Sequence, residues 1–166
     1  MRNSGFTLIE LLAVITIIGV LAIALGFSFV GWQGRYKVES QIKDVESDLM
    51  KARARAMQRN RANFVAFPTA TQYTMQEDTN DDNVPDTTLP SYPKTVEYTI
   101  NWDGGGTIGF DTRGLISFPA IVADPTAVGT ISVTLPADVT PDYDCIELRL
   151  TRINIGLMTG GSCVTR

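Results

Sequence analysis

Histidine is absent from this 166-residue chain, and cysteine occurs only twice, at Cys145 and Cys163. A chain without imidazole lacks both the ordinary general base near neutral pH and the commonest metal ligand. No Cys-x-x-Cys pair, no nucleophile set beside a base and no phosphate-cradling glycine motif takes its place. An enzyme reading therefore has no residues to rest on, and no cofactor is required. Charge is also scarce at the amino end, where Glu10 is the one charged residue between Arg2 and Arg35.

That stretch contains Phe6 to Val30, about 25 residues of apolar sequence, where about 20 suffice to cross a bilayer as a helix. A carboxylate in such a run costs on the order of 2.5–3.5 kcal/mol at the bilayer centre, so Glu10 needs a specific partner or task. A cleaved secretory signal fits poorly. The run exceeds the usual core of about 7–15 residues, and the chain continues as VGWQGRYKVESQIK without an A-x-A-like site. Arg2 on one side faces Arg35 and Lys37 on the other, which leaves orientation weakly written.

Gly5-Phe6-Thr7-Leu8-Ile9-Glu10-Leu11-Leu12 resembles the processing site of type IV pilins and type II secretion pseudopilins. The resemblance implies that a prepilin peptidase cuts after Gly5 and methylates the new amine of Phe6. It also implies that the Glu10 carboxylate pairs with the Phe6 amine of an adjacent subunit during filament assembly. Opposite charges in low dielectric attract strongly, and leaving either alone is expensive, so such a pair enforces register. Gly19 also matches the family, whereas Phe27, preceded by Gly26, stands where many relatives have proline. Further along, TIGFDTRGLISF resembles an FDxRG segment of minor pseudopilins of the H type, a group that includes minor pilins of DNA-uptake systems. Together these resemblances imply a structural subunit of a type IV pilus or secretion pseudopilus. It would sit in the bacterial inner membrane with its head outside the cytoplasm, then move into a periplasmic or extracellular filament. Its partners are other pilin or pseudopilin subunits and the prepilin peptidase. The alternative is a minor pilin at a filament tip, acting as a receptor for DNA or another ligand. Outside the cytoplasm Cys145 and Cys163 tend to oxidise, and a bridge closing a loop of about 17 residues contributes roughly 3 kcal/mol in the chain-entropy model. It would pin the tail Thr159-Gly160-Gly161-Ser162, which has little else to hold it.

Val38, Ile42, Val45, Leu49, Ala52 and Ala56 recur at three- and four-residue intervals, one face of an amphipathic helix that continues the apolar run to about Arg61. From Asn63 the texture changes to FVAF, QYTM, VEYTINW, TIGF, LISF, GTISVTL and CIELRLTRI, each read as a strand. Asp103-Gly104-Gly105-Gly106 and Asp111-Thr112-Arg113-Gly114 are read as turns, the second closing a hairpin. The expectation is an α+β fold, a long amino-terminal helix packed on a mostly antiparallel β head. It divides into leader 1–5, membrane and assembly helix 6–30, amphipathic continuation 31–62 and head 63–166.

Two charged constellations remain in a chain of net charge −4. Lys51, Arg53, Arg55, Arg59 and Arg61 form a basic cluster able to touch phosphates, or a helix face paired with acids of its own head or of a neighbour. Asp78, Asn80, Asp82, Val84 and Asp86 follow the spacing of a calcium loop at positions one, three, five, seven and nine, with Asn83 at the sharp turn. Leu89 stands at the twelfth position, so a bidentate ligand has to come from elsewhere, for example Glu77 or Glu97. A calcium site and an acidic surface loop both remain open readings of this run.

Overall fold

The stripe from Val38 to Ala56 becomes a completely buried seam: its six residues are each at most 1% exposed. They lie on α1, Leu8–Arg59, a helix of 52 residues and so about 78 Å long. Asn60 ends it in the left-handed conformation, with its N–H bonded to Ala56 O. The computed structural model describes residues 7–137 and 139–165, and within these the side chains of all but residues 24–31 and 120.

Among the described residues eleven short strands follow: β1 Asn63–Thr69, β2 Gln72–Glu77, β3 Thr87–Thr88, β4 Lys94–Thr95, β5 Ile100–Trp102, β6 Ile108–Phe110, β7 Ile116–Ser117, β8 Gly129–Val133, β9 Cys145–Leu148, β10 Ile153–Thr159 and β11 Ser162–Thr165. A short helix, α2 Pro119–Ala123, precedes β8. The strands form two antiparallel sheets, one ordered β3-β2-β1-β6-β7 with β4 also on β2, the other β11-β10-β9-β8-β5. The seam of α1 packs against strands of both sheets, so one core holds Val65, Ile108 and Phe110 from the first with Ile131, Ile146 and Leu148 from the second. The α+β expectation is met. The Asp111–Gly114 turn joins β6 to β7, with Gly114 N donating to Asp111 O at 2.8 Å.

The carboxyl end differs from expectation. CIELRLTRI is not one strand: it reverses at Arg149–Arg152, whose backbone groups bond each other, and Ile153 begins β10. The tail expected to have little besides the disulfide to hold it is a β10–β11 hairpin, turned by Gly160 and Gly161 at φ +60° and +86°.

Polar side chains fasten the helix where the seam meets its flanks. Gln41 and Asp48 lie seven residues apart beside the apolar stripe and both are buried. Gln41 closes a reciprocal pair with the Tyr98 backbone, at 2.8 and 2.9 Å. The loop before β9 grips the helix lower down, through an Arg35–Asp142 ion pair, an Asp142 N–H donated to Glu39 and Lys43 over the Tyr143 ring.

Candidate functional site

Chemistry-bearing residues fall in four places. At the start of α1, Thr7 is the N-cap and accepts a long hydrogen bond of 3.4 Å from Glu10 N, while its hydroxyl lies 3.5 Å from Glu10 Oε2. Thr7-x-x-Glu10 is a capping-box spacing, legible in the sequence but not read there, and it sets a carboxylate in the first turn where the helix dipole favours one. Beyond it Leu8, Ile9, Leu11, Leu12, Val14, Ile15, Ile17, Ile18, Val20, Leu21 and Ile23 are all exposed. Gly5 and Phe6 lie outside the described residues. Among the described residues no helix is long and apolar enough to cross a membrane.

The basic cluster divides. Arg55 Nη2 reaches Glu77 Oε2 at 2.8 Å and Arg59 Nη1 the same oxygen at 3.4 Å. Lys51 pairs with Asp48 at 2.9 Å, and Arg53 turns the other way, donating to Thr151 O at 3.0 Å. Arg61 is half-buried at the chain reversal after the helix. The reading of a helix face paired with acids of its own head therefore describes Arg55 and Arg59, while Lys51 pairs with Asp48 three residues earlier on α1 itself. Burial pushes the Glu77 carboxyl up, but Arg55 and Arg59 outweigh it and leave its pKa below the usual value.

Asp48 carries a network that sequence reasoning missed. Burial would raise its pKa, yet hydrogen bonds from Lys94 (2.5 Å), Lys51 and Tyr73 (2.7 Å) hold it at about 2. The Tyr73 phenol is pushed up in turn by burial and by that carboxylate. The available signal was a charged residue flanking the stripe between Val45 and Leu49, where only a paired one is tolerated.

The five residues read as a calcium loop make hydrogen bonds within the loop. Asp78 is 1% exposed, and its carboxylate accepts from the backbone N–H groups of Asn80, Asp81 and Asn83. Asp86 accepts from Thr79 N–H and hydroxyl, and Asp82 from Val84 N–H. Asp78 and Asp111 line one cavity of about 190 Å³, but Asp111 likewise accepts from Arg113 and Leu115 amides. Among the described residues no group of three or more His, Cys, Asp or Glu could hold a metal ion.

The fourth place is the bridge Cys145–Cys163, which links β9 to β11 across β10. It passes at Gly156, where a Cβ would fall within 2.9 Å of Cys163 Sγ.

Comparison with known families agrees with this layout. A model described as the prokaryotic N-terminal methylation motif matches residues 1–26, and one described as type II transport protein GspH matches residues 41–151. The chain belongs to the GspH family. GspH-type proteins are minor pilins and pseudopilins, structural subunits rather than enzymes, and they assemble with other pilin-type subunits in periplasmic or extracellular filaments. Among solved structures, this GspH-family chain is similar to the Pseudomonas aeruginosa type IV minor pilin FimU in two crystal forms. One match has TM-score 0.50 and 13% identity and covers 80% of this chain and 96% of that one. The other has TM-score 0.47 and 13% identity, with 70% and 90% covered. The likeness at TM-score 0.50 is one of fold, an amino-terminal helix on antiparallel sheets. No curated protein matches the sequence.

Proposed function

We propose that the chain is a minor subunit of a type IV pilus or type II secretion pseudopilus, stored in the inner membrane and then assembled through its amino-terminal helix. In this reading residues 1–5 are a leader removed by prepilin peptidase after Gly5, and the amine of Phe6 is methylated. Residues 6–30 anchor the precursor, 31–62 carry the seam, and 63–166 form the head. The observation that carries the reading is the exposed apolar surface from Leu8 to Ile23, on a helix that runs unbroken into the core of the head. Such a surface is untenable in water and suits either lipid or the apolar helices of neighbouring subunits. Glu10 sits exposed in the first turn, and among the described residues its contacts are the long ones with Thr7. Its carboxylate is thus available to exchange Thr7 for the Phe6 amine of a neighbour, a charge pair whose strength grows as lipid or helices exclude water.

The DNA-receptor alternative draws less support, because Lys51, Arg55 and Arg59 already face carboxylates of the same chain. Intact mass and amino-terminal sequencing of the protein from its native membrane, with and without prepilin peptidase, test the proposal. The expected product begins at N-methyl Phe6 and is two hydrogens light for one disulfide. A chain that still begins at Met1 in the presence of the peptidase would leave the filament reading without its first step.

A further inference from the structure

Between the exposed apolar half of α1 and the buried seam, two aromatic rings project from the helix. Trp32 and Tyr36 lie one turn apart on the same face, 64% and 63% exposed, with their rings stacked at 6.2 Å between centroids and 23° between planes. A lone exposed aromatic is ordinary, but a stacked pair at the amino-terminal margin of the head is an organised surface. The head meets the helix in the same turns. A Cβ at Gly34 would fall 2.8 Å from Val139 Cγ2, Arg35 pairs with Asp142, and Lys37 pairs with Glu97 at 2.7 Å. The rings therefore stand at a fixed height relative to the head.

That height also fixes what they face. From Leu8 to Trp32 the helix rises about 36 Å, and Tyr36 lies about 6 Å further. A bilayer has a hydrocarbon core of about 30 Å and measures about 40–45 Å with its headgroups. With Leu8 at one boundary of the core, Trp32 falls in the headgroup layer of the other side and Tyr36 at its outer rim. Helical side chains lean toward the amino end, which brings the Tyr36 ring back into that layer. Indole and phenol are apolar bodies with polar tips, suited to a layer that is apolar on one side and wet on the other. The interior of a bundle of apolar helices suits them less, since it offers the tips no water. Nearby charges are balanced, Arg35 facing Glu39 and Asp142, and Lys37 facing Glu97. The surface is thus complementary to lipid headgroups in general rather than to anionic ones.

We propose that the Trp32–Tyr36 stack lies in the lipid headgroup layer on the head's side of the membrane and sets the depth at which the stored chain is held. The apolar span supplies retention. The stack fixes the register of the helix against the bilayer, and with it the height of the head above the lipid. The inference rests on the reading of residues 6–30 as a membrane anchor.

The test uses the full chain in phosphatidylcholine vesicles whose acyl chains carry bromine at a chosen depth, which quenches tryptophan by contact. The other tryptophan is Trp102 on β5, so Trp102→Phe leaves Trp32 as the sole reporter. Should that variant not fold, the difference between the unaltered chain and Trp32→Phe gives the same signal. Flotation shows that the chain is in the vesicles, and protease resistance that the head is folded. Quenching of Trp32 is expected to be about threefold or more stronger with bromine near the carbonyl end of the acyl chain than near its methyl end. It should not change when anionic phosphatidylglycerol is added or salt is raised. In a second chain Gln33→Cys carries a fluorophore while the native disulfide stays closed. Trp32→Phe/Tyr36→Phe, which keeps the rings and removes the polar tips, should move this label toward deeper bromines, and Trp32→Tyr/Tyr36→Trp should restore its depth. Equal quenching at both depths overturns the inference, as does a label whose depth ignores the phenylalanine pair. Quenching that requires anionic lipid and vanishes in salt overturns it in favour of Arg35 and Lys37. A Trp32 that brominated lipid does not reach in floated vesicles also overturns it, in favour of a protein contact where aqueous acrylamide is excluded too, and of a pair exposed to solvent where it is not. Chains that do not float with the vesicles overturn the anchor reading instead.

Discussion

Asp48 concentrates the electrostatics of the head in one carboxylate. Its pKa of about 2 lies below the value near 4 of an unfolded aspartate, so the stability it contributes is fully present above about pH 4 and is lost as pH falls toward 2. Glu77, also depressed, acts in the same direction. Asp48→Asn is expected to cost about 2 kcal/mol at pH 7, since Lys51 and Lys94 can return to water but the buried Tyr73 hydroxyl loses its charged acceptor. The same variant should show a shallower fall in melting temperature between pH 4 and pH 2, a loss that thermal denaturation over that range measures. A second residue-scale expectation concerns Asp78, whose carboxylate satisfies three backbone amides. Asp78→Ala leaves them unpaired and should destabilise the head by about 1–3 kcal/mol, read by urea denaturation. Hydrogen exchange at Asn80, Asp81 and Asn83 should rise. Calcium or excess EDTA should leave the wild-type melting temperature unchanged, because the loop is closed by its own side chains.

Among the elements, α1 was the most legible from sequence, because a three- and four-residue spacing from Val38 to Ala56 has one structural solution. The β6–β7 hairpin was legible for a similar reason, Asp111 and Gly114 being turn formers. The reversal at Arg149–Arg152 was not, since Leu150 and Thr151 carry no turn signal, and the apolar alternation of CIELRL runs straight into it. The Asp-rich spacing was ambiguous: Asp78, Asn80 and Asp82 are equally suited to backbone amides and to a cation, and spacing alone does not distinguish the two. The register of β10 against both neighbours depends on Gly156, where an added Cβ would meet the Val164 carbonyl carbon at 2.8 Å and Cys163 Sγ at 2.9 Å. Gly156→Ala is accordingly expected to destabilise the head by about 1–3 kcal/mol. Amide exchange should localise the effect to β10 and β11.

At the scale of the molecule, the helix has two halves with different obligations. Its described apolar side chains up to Ile23 are exposed, whereas the seam from Val38 onward is enclosed by both sheets. A chain beginning at Trp32 is therefore expected to keep the thermal stability of the full chain in detergent, measured by circular dichroism, while losing membrane retention. Glu10→Ala in the full chain should leave that stability unchanged as well, yet lower filament incorporation, measured by shearing and fractionation. The disulfide bears on the same division of labour. β11 is the last strand of its sheet, the kind of edge through which neighbouring subunits could trade strands and lock into aggregates. Because Cys163 is covalently tied to Cys145 within its own chain, that exchange is closed to β11 while the bridge is intact. Subunits packed side by side along a filament can then separate again as whole heads, without unravelling one another.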